Sequence, residues 1–292
     1  MQPAFEISVV NLLPPATVMI MVSGVWSIYL FLHLLPQLQL AVPPDRFDSE
    51  VAITGWVQMI ISQVLAGMMV ICFLRASLTL PGQVPEALEW RFGAFKDPNI
   101  TKEVKSANGE RRRCKHCLIY KPDRCHHCRI CKTCILRMDH HCPWIMNCVG
   151  FRNHKYFSLL VLYSLLSCLF IAATTVGSMP KSLEKEMPIS HRFLLMLCLV
   201  TTGFMGGLLT VFSGFHVMLM LRGLTTIEFC EKQSQVSSAQ GKGSKYDRGF
   251  YQNFKAVFGP RPWLWLLPID PPEGDGLSFA DALRDRADPE WT

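Results

Sequence analysis

The sequence from Cys114 to Phe157 reads CKHCLIYKPDRCHHCRICKTCILRMDHHCPWIMNCVGFRNHKYF. It holds eight of the chain's twelve cysteines and six of its nine histidines. Four Cys-x2-Cys pairs occur in it, and two cysteines at this spacing can bind one zinc ion from a tight turn. A structural zinc ion takes four such ligands, so the segment has enough donors for two ions and several left over. A soluble segment this small depends on metal to fold.

The regions on either side of this segment are hydrophobic. Four windows of about 20 residues or more are almost free of charge, which is enough to cross roughly 30 Å of hydrocarbon. They are Val18–Pro36, Val51–Leu74, Phe157–Met179 and Phe193–Leu221. One such window is compatible with a buried core helix, but four separated by polar loops indicate a membrane protein. We therefore predict an α-helical polytopic membrane protein, with four transmembrane helices and a zinc-binding cysteine-rich domain between the second and third.

The distribution of charge predicts the orientation of the chain. The stretch from Arg75 to Lys155 carries 16 Lys and Arg against 7 Asp and Glu, and basic loops stay in the cytosol. The cysteine-rich domain and both termini are then cytosolic. No Lys or Arg precedes Arg46, so the first window lacks the basic region of a cleavable signal peptide and is expected to be retained. The cytosol is reducing, which favours metal ligands or nucleophiles over disulfides.

The predicted domains follow these boundaries. Residues 1–76 hold the N-terminal segment and two helices, 77–156 the cytosolic loop with the metal domain (core 114–157), 157–222 two further helices, and 223–292 the cytosolic tail. In the tail, helical spacing of apolar residues predicts a short amphipathic helix; these are Tyr246, Phe250, Phe254, Val257 and Phe258. The run around Trp263 and Trp265 either rests at the membrane interface or packs against the protein itself.

The run Asp139-His140-His141-Cys142 contains chemistry beyond metal binding. An aspartate can orient an imidazole, and the imidazole can take a thiol proton to produce the nucleophilic thiolate. The alternative is a third zinc-binding group, and spacing alone leaves both interpretations open.

Several motifs together identify a family. They are C-x2-C at 114–117, KPDR at 121–124, HHC-x2-C-x2-C at 126–134, DHHCPW at 139–144, NCVG-x2-N-x3-F at 147–157, LTTIE at 224–228, and Asn253 within FYQNFKAVFG. In these motifs and in its four spans the chain resembles the DHHC-type protein S-acyltransferases, the palmitoyltransferases. The resemblance implies that Thr225, Thr226 and Glu228 form a structural motif after the last span.

The resemblance also implies the role of each donor. One zinc ion is assigned to Cys114, Cys117, His127 and Cys134, and the second to Cys128, Cys131, His141 and Cys148. Cys142 then remains as the nucleophile, with His140 as general base and Asp139 as its orienter. Both zinc ions are structural, because four protein ligands leave no open coordination position.

The implied reaction has two steps. Cys142 takes the acyl chain from a long-chain acyl-CoA such as palmitoyl-CoA, and a cysteine of a substrate protein then receives it at the cytosolic membrane face. Exposing the chain to water costs about 0.8 kcal/mol per CH₂, so it is expected among the helices. Ser27 and Ser167 align with the closed end of the acyl cavity in the family, and two small residues there predict acceptance of palmitoyl and stearoyl chains; the alternative is that either serine eases helix packing.

Contacts to CoA are predicted from charge and motif. Lys121, Arg124 and Arg137 are candidates for its phosphates, with solvated surface charge as the alternative, and Trp144 and Asn253 are further candidate contacts. The expected partners are acyl-CoA, the bilayer, and proteins with membrane-proximal cysteines. The expected location is the endomembrane system, Golgi or endoplasmic reticulum, with the plasma membrane also compatible.

Cys125 departs from the family pattern, which commonly has a small residue there. It is an inert thiol, a competitor for zinc, or a site of acylation. The competing function is a membrane-anchored zinc-finger adaptor without acyltransferase activity, which has no need of a spare Cys142 or of TTIE. A nucleic-acid finger is disfavoured, because the basic residues lack interleaved aromatics and the domain is tethered to a bilayer.

Overall fold

The computed structural model describes residues 9–91, 111–184, 187–235, 244–270 and 272–279. Most of the charged stretch Glu86–Glu110, residues 236–243 of the polar stretch before Tyr246, and the end of the tail lie outside these residues. Within them, four helices are long and apolar enough to cross a membrane: Leu12–Gln37, Ser49–Leu78, His154–Gly177 and Ile189–Leu221. The prediction of four spans, with the cysteine-rich segment between the second and third, is confirmed.

The helices follow one another in the order that the hydrophobic windows predict. Their bounds are α1 Val9–Tyr29, a π-helical turn Leu30–Leu34, α2 Leu35–Gln37, α3 Ser49–Leu78, α4 His154–Glu184, α5 Ile189–Leu221, α6 Thr226–Gln235 and α7 Phe250–Phe258. Contacts divide the described residues into two compact units, one of Val9–Cys72 with Leu160–Ser213, and one of the described parts of Phe73–Leu159 and Gly214–Thr292. We call them the helical unit and the cysteine-rich unit.

The helical unit is packed around a small apolar core. Tyr29 and Leu34 are fully buried there with Ile171 and Cys198. The Tyr29 hydroxyl is hydrogen-bonded to Thr174 Oγ1 at 2.9 Å, which satisfies the one polar atom of that ring. Large apolar side chains elsewhere on these helices are exposed, among them Ile20, Ile60, Val64, Val200, Phe204 and Val211. Such an outer surface is that of helices surrounded by lipid.

The cysteine-rich unit contains three β-hairpins. They are β1 Arg113–Cys114 with β2 Ile119–Tyr120, β3 His126–Cys128 with β4 Thr133–Ile135, and β5 His140–Cys142 with β6 Asn147–Val149. Each is a separate antiparallel pair. A single two-stranded hairpin is marginal in water, so these short strands need metal or packing to stay folded.

A tight packing point fixes the third hairpin. Asn153 accepts a hydrogen bond from the Gly150 amide at 2.9 Å, and its Nδ2 donates to the carbonyls of Ala76 and Cys148 at 3.1 and 2.8 Å. A Cβ added to Gly150 would lie 2.7 Å from Ile135 Cγ2 and 2.8 Å from the Pro81 carbonyl oxygen. The NCVG-x2-N motif is therefore structural, since it joins β6 to the end of α3.

The tail shows local packing, one of the two interpretations offered for it. Helix α7 forms at the predicted apolar spacing, with Val257 and Phe258 buried. The Trp265 ring packs on Phe254 and Phe258, with centroids 6.1 Å apart in each case. Trp263 is instead exposed. Trp265 thus belongs to local packing, and contact of Trp263 with the membrane interface stays a prediction.

Candidate active site and metal centres

Two groups of Cys and His side chains converge in the cysteine-rich unit. The first is Cys114, Cys117, His127 and Cys134, and the second is Cys128, Cys131, His141 and Cys148; within each, the donor atoms all lie within 4.8 Å of one another. Each group takes its first two cysteines from one hairpin, the first at the end of the first strand and the second in the turn. Its histidine and third cysteine are a cross-strand pair of the next hairpin, His127 with Cys134 and His141 with Cys148. The middle hairpin therefore contributes to both groups.

The donor atoms are spaced as zinc requires. Zn–S bonds of about 2.3 Å in a tetrahedron place neighbouring ligands about 3.8 Å apart. In the second group, His141 Nδ1 lies 3.7, 3.5 and 3.4 Å from the sulfurs of Cys128, Cys131 and Cys148. In the first, Cys134 Sγ lies 3.7 Å from Cys117 Sγ. These separations exceed a disulfide bond, about 2.05 Å, and they fit a bound metal ion.

Asp139 and His140 form a short pair beside the second metal group. Asp139 is 1% exposed, and its Oδ2 accepts a hydrogen bond from His140 Nδ1 at 2.7 Å. This bond places the proton of the neutral imidazole on Nδ1 and leaves Nε2 as the acceptor. Cys142 lies two residues further along β5 with its thiol buried, and it interacts electrostatically with His140. The arrangement therefore brings together a base, a nucleophile and a third group that orients the base.

The electrostatics of the three groups favour proton transfer from sulfur to nitrogen. Burial opposes ionisation of each one. For Asp139 the hydrogen bond from His140 and nearby positive charge outweigh burial and lower its pKa. Burial also lowers the pKa of His140, but Asp139 and Cys142 raise it to about 9. The pKa of Cys142 is lowered despite burial, because His140 and the backbone amides of Ile145 and Trp144 stabilise the thiolate.

The TTIE motif forms a capping box at the start of α6. Thr225 Oγ1 accepts the Glu228 amide at 3.3 Å, while Glu228 Oε2 accepts the Thr225 amide at 2.9 Å, which satisfies two donors at the helix start. The next amide, of Thr226, donates to Asp139 Oδ1 at 2.9 Å, and its hydroxyl donates to Oδ2 at 2.8 Å. The positive end of a helix thus stabilises the carboxylate that orients His140.

Residues 107–233 match the family model of the DHHC palmitoyltransferases. Over this segment the chain is similar to the DHHC palmitoyltransferases. Similar curated proteins are the palmitoyltransferases ZDHHC15 of Rattus norvegicus, 41% identical over 179 residues (60% of this chain, 52% of the relative), ZDHHC15A of Danio rerio, 43% over 179 residues (60% and 53%), and ZDHHC2 of Homo sapiens, 40% over 188 residues (64% and 50%). The chain spans about half the length of these relatives.

Two of the basic residues predicted to contact CoA are buried and have other partners, so the prediction is wrong for them. Arg124 is 4% exposed, donates to both carboxylate oxygens of Glu228 at 2.6 and 2.8 Å, and donates to the Gly223 carbonyl at 3.0 Å. Arg137 is also buried and donates to the Ala256 carbonyl at 2.7 Å. Both guanidinium groups tie the DHHC domain to the segment after the last span, so neither is presented to a phosphate.

A third predicted CoA contact is structural as well. Asn253 is buried, and its Nδ2 donates to the Leu221 carbonyl at 3.0 Å and to Asp247 Oδ1 at 2.8 Å. Its Oδ1 accepts the Arg248 amide at 3.0 Å. The family's tail asparagine thus joins α7 to the end of α5 in this chain. Half-buried Lys121 and exposed Trp144 remain candidates for CoA.

The helical unit contains an apolar cavity among its four long helices. It is lined by Met21, Val22, Val25, Trp26, Ser62, Leu65, Ala66, Met69, Ser164, Ser167, Cys168, Phe170, Ile171, Thr201, Thr202 and Met205. Ser167 is among them, and its hydroxyl donates to the Tyr163 carbonyl at 2.7 Å, as a helical serine often does. Ser27 is exposed and does not line the cavity, so its predicted place there is wrong. Its neighbour Trp26 lines the cavity instead.

Cys125 is enclosed rather than exposed. It is fully buried and packs with Cys114 and Cys134 of the first metal group. Acylation requires access for a large donor, so of the three roles considered for Cys125 this geometry disfavours that one.

Proposed function

We propose that this chain is a protein S-palmitoyltransferase, which acylates Cys142 from palmitoyl-CoA or a similar long-chain acyl-CoA and transfers the chain to cysteines of other proteins. The observation that carries the proposal is the contact series Thr226, Asp139, His140 and Cys142. A metal-binding adaptor has no use for a buried carboxylate that orients an imidazole against a thiol outside both metal groups. The similarity of residues 107–233 to the DHHC palmitoyltransferases supports the same reaction.

In the first step, His140 takes the proton of Cys142 Sγ. The thiolate forms a bond to the carbonyl carbon of the acyl-CoA thioester, the carbon–sulfur bond to CoA breaks, and the CoA thiolate receives the proton from His140. In the second step a substrate cysteine loses its proton to His140 and attacks the acyl-Cys142 thioester. Cys142 leaves as a thiolate and is reprotonated, so one thioester is exchanged for another without net change of charge.

We propose zinc as the ion in both metal groups, with a structural role. The donor sets hold three sulfurs and one nitrogen each, a set that suits zinc in a closed tetrahedral site. The ions stabilise the hairpins that present His140 and Cys142, and no step of the transfer passes through them.

We propose that the acyl chain occupies the cavity of the helical unit. Its lining is almost entirely apolar, and small residues such as Ser167, Ser164 and Ala66 leave it room. Ser167→Phe is expected to shift preference from palmitoyl towards shorter chains in an acyl-CoA competition assay. Ser27→Phe adds the same bulk on α1, at a position outside the cavity lining. It should therefore keep the wild-type preference among acyl-CoA chain lengths. Equal profiles for Ser167→Phe and wild type would show that the chain lies elsewhere.

We propose the remaining contacts and the setting from charge and motif. Lys121 and Trp144 are the residues still offered to CoA, and Lys121→Ala should raise the KM for palmitoyl-CoA more than it lowers kcat. The basic excess between Arg75 and Lys155 supports a cytosolic DHHC domain and cytosolic termini. Substrates are then proteins with cysteines near the cytosolic face of an endomembrane, in Golgi or endoplasmic reticulum.

The test of the activity is direct. The purified chain is incubated with labelled palmitoyl-CoA, and a hydroxylamine-labile adduct is expected on wild type and absent from Cys142→Ser. Cys230→Ser is the matched control, because Cys230 is exposed and belongs to neither metal group. His140→Ala should slow adduct formation without reducing bound zinc. A wild-type chain that holds two zinc ions but forms no adduct would favour the adaptor.

A further inference from the structure

The three hairpins of the cysteine-rich unit share one register at a constant interval. Arg113 pairs with Tyr120, His127 with Cys134, and His141 with Cys148, and each pair stands 14 residues after the one before (127 − 113 and 141 − 127). The same interval holds for the next pairs inward, which are Cys114 with Ile119, Cys128 with Thr133 and Cys142 with Asn147. The two metal groups obey it as well, since each of their four positions differs by 14.

The turns of the three hairpins are alike in backbone conformation. Each is followed by a residue in the left-handed region, Leu118, Lys132 and Met146, with φ of 54°, 53° and 51°. Non-glycine residues adopt this region only where the surrounding structure requires it. Three occurrences at the same repeat position show that the three turns share one backbone conformation.

Cys142 occupies the position of a metal ligand in this repeat. The last residue of the first strand is Cys114, Cys128 and Cys142 in turn. In the first two hairpins this sulfur accepts the amide three residues later, Cys117 to Cys114 at 3.4 Å and Cys131 to Cys128 at 3.3 Å. The corresponding amide of the third hairpin is that of Ile145.

The third hairpin differs where the second ligand would be. Cys117 and Cys131 complete their C-x2-C pairs, and the equivalent residue of the third hairpin is Ile145, which is 2% exposed. The later two repeat positions, 155 and 162, are Lys155 and Leu162 of α4. The third hairpin thus retains the first of four ligand positions and none of the others.

We propose that Cys142 is the surviving ligand of a third zinc hairpin, and that Ile145 keeps its sulfur free of metal and so available to the acyl donor. Cys and His are zinc's preferred donors, and a thiolate bound to zinc is less nucleophilic than a free thiolate. A sulfur at position 145 would face the Cys142 sulfur as Cys117 faces Cys114. His140, two residues before Cys142 on the same strand, would supply the next donor. The inference rests on the proposed function only in treating Cys142 as nucleophile.

The experiment replaces Ile145 in the full chain. Ile145→Cys, purified in the presence of zinc, is expected to bind one equivalent of zinc more than wild type by elemental analysis. With Co²⁺ it should show added sulfur-to-metal charge-transfer absorbance. Its autoacylation should fall at least tenfold and recover when a weak chelator removes the added ion. Serine is close to cysteine in size but has no sulfur. Ile145→Ser therefore gives the zinc content and autoacylation rate that result from the loss of isoleucine packing alone.

The outcomes separate this inference from the proposed function. Ile145→Cys that holds no more metal than Ile145→Ser would overturn the inference, and wild-type autoacylation is unaffected by that result. An added equivalent that persists in Ile145→Cys with Cys142→Ala would also overturn it, because the metal would not be on Cys142. Ile145→His, which offers a nitrogen donor instead, repeats the test if the cysteine variant does not fold. If Ile145→Cys binds the added zinc but the wild-type chain forms no acyl adduct, the third zinc hairpin is supported and the proposed acyltransferase function is rejected.

Discussion

Thr226 donates two hydrogen bonds to the carboxylate of Asp139, from its amide to Oδ1 at 2.9 Å and from its hydroxyl to Oδ2 at 2.8 Å. Asp139 uses the same Oδ2 to accept from His140 at 2.7 Å. The orientation of the proposed base is therefore set by a residue outside the 114–157 core, at the start of α6. Three donors on one buried carboxylate also keep it ionised.

We expect Thr226→Val to slow autoacylation by roughly tenfold to a hundredfold, because hydrogen bonds to charged groups contribute about 1.5–3 kcal/mol. Valine keeps the shape and the backbone amide but removes the hydroxyl. The rate is measured in single turnover with palmitoyl-CoA, and bound zinc is measured on the same sample. Thr226→Ser retains the hydroxyl and should stay near wild type. A valine variant as fast as the serine variant would mean that the hydroxyl does not act on Asp139.

The buried pair of Arg124 and Glu228 predicts a pattern of stabilities. Either Arg124→Met or Glu228→Leu leaves an unpaired buried charge and should lower the free energy of unfolding by about 3–5 kcal/mol. The double variant should recover much of this loss, since an apolar replacement of a buried pair is often tolerated. Thermal unfolding in detergent gives the comparison.

Arg46→Met is the control for that series, because Arg46 and Asp45 form an ion pair in which both side chains are largely exposed. Exposed pairs contribute about 0–1 kcal/mol, so this variant should unfold like wild type. A double Arg124 and Glu228 variant no more stable than the weaker single would show that the contacts of Arg124 to Gly223 and Tyr246 matter more than the pairing.

The shared middle hairpin predicts that the two metal groups are lost together. Cys117→Ser removes one ligand of the first group, but His127 and Cys134 of that group lie on the strands whose turn holds Cys128 and Cys131. We expect its zinc content to fall below one ion per chain, not to stop at one, and autoacylation to disappear. Elemental analysis after brief chelation measures this. A stable chain with one zinc ion would show that the groups are independent.

The close packing of Gly150 predicts a large effect from a single methyl group. Gly150→Ala places a Cβ 2.8 Å from the Pro81 carbonyl oxygen, and overpacking of this kind costs about 1–3 kcal/mol. We expect a lower melting temperature and reduced zinc retention. Gly67→Ala is the matched control, because nothing lies within 4 Å of a Cβ there. An unchanged melting temperature for Gly150→Ala would mean that β6 can move away from Pro81.

The sequence predicted the features that depend on local spacing or on composition. The four spans follow from uninterrupted apolar windows, and the ligand sets follow from C-x2-C spacing with the family pattern. The burial of Arg124 could not be predicted in that way, because its partner Glu228 lies 104 residues later and nothing local distinguishes it from exposed Arg129. Ser27 was misplaced because helix rotation decides which residue of a span faces a cavity.

Two features of the sequence indicate local structure that only the folded chain makes evident. HHC occurs at 126–128 and again at 140–142, which already shows the interval of 14 residues on which the hairpins are built. TTIE has the pattern of a capping box, Ser or Thr followed three residues later by Glu. Both patterns acquire meaning only when the strands and the helix start are placed next to Asp139.

The bond between Thr226 and Asp139 has a consequence for biosynthesis. The ribosome reaches Thr226 87 residues after Asp139, with two membrane helices in between, which takes roughly 4–17 s at ordinary elongation rates of about 5–20 residues per second. The hairpins can bind zinc during that interval, while His140 still lacks a fixed orientation. A chain whose last helix is stalled or wrongly inserted would therefore carry the nucleophile but not the aligned base. We therefore expect insertion of α5 to precede the alignment of His140.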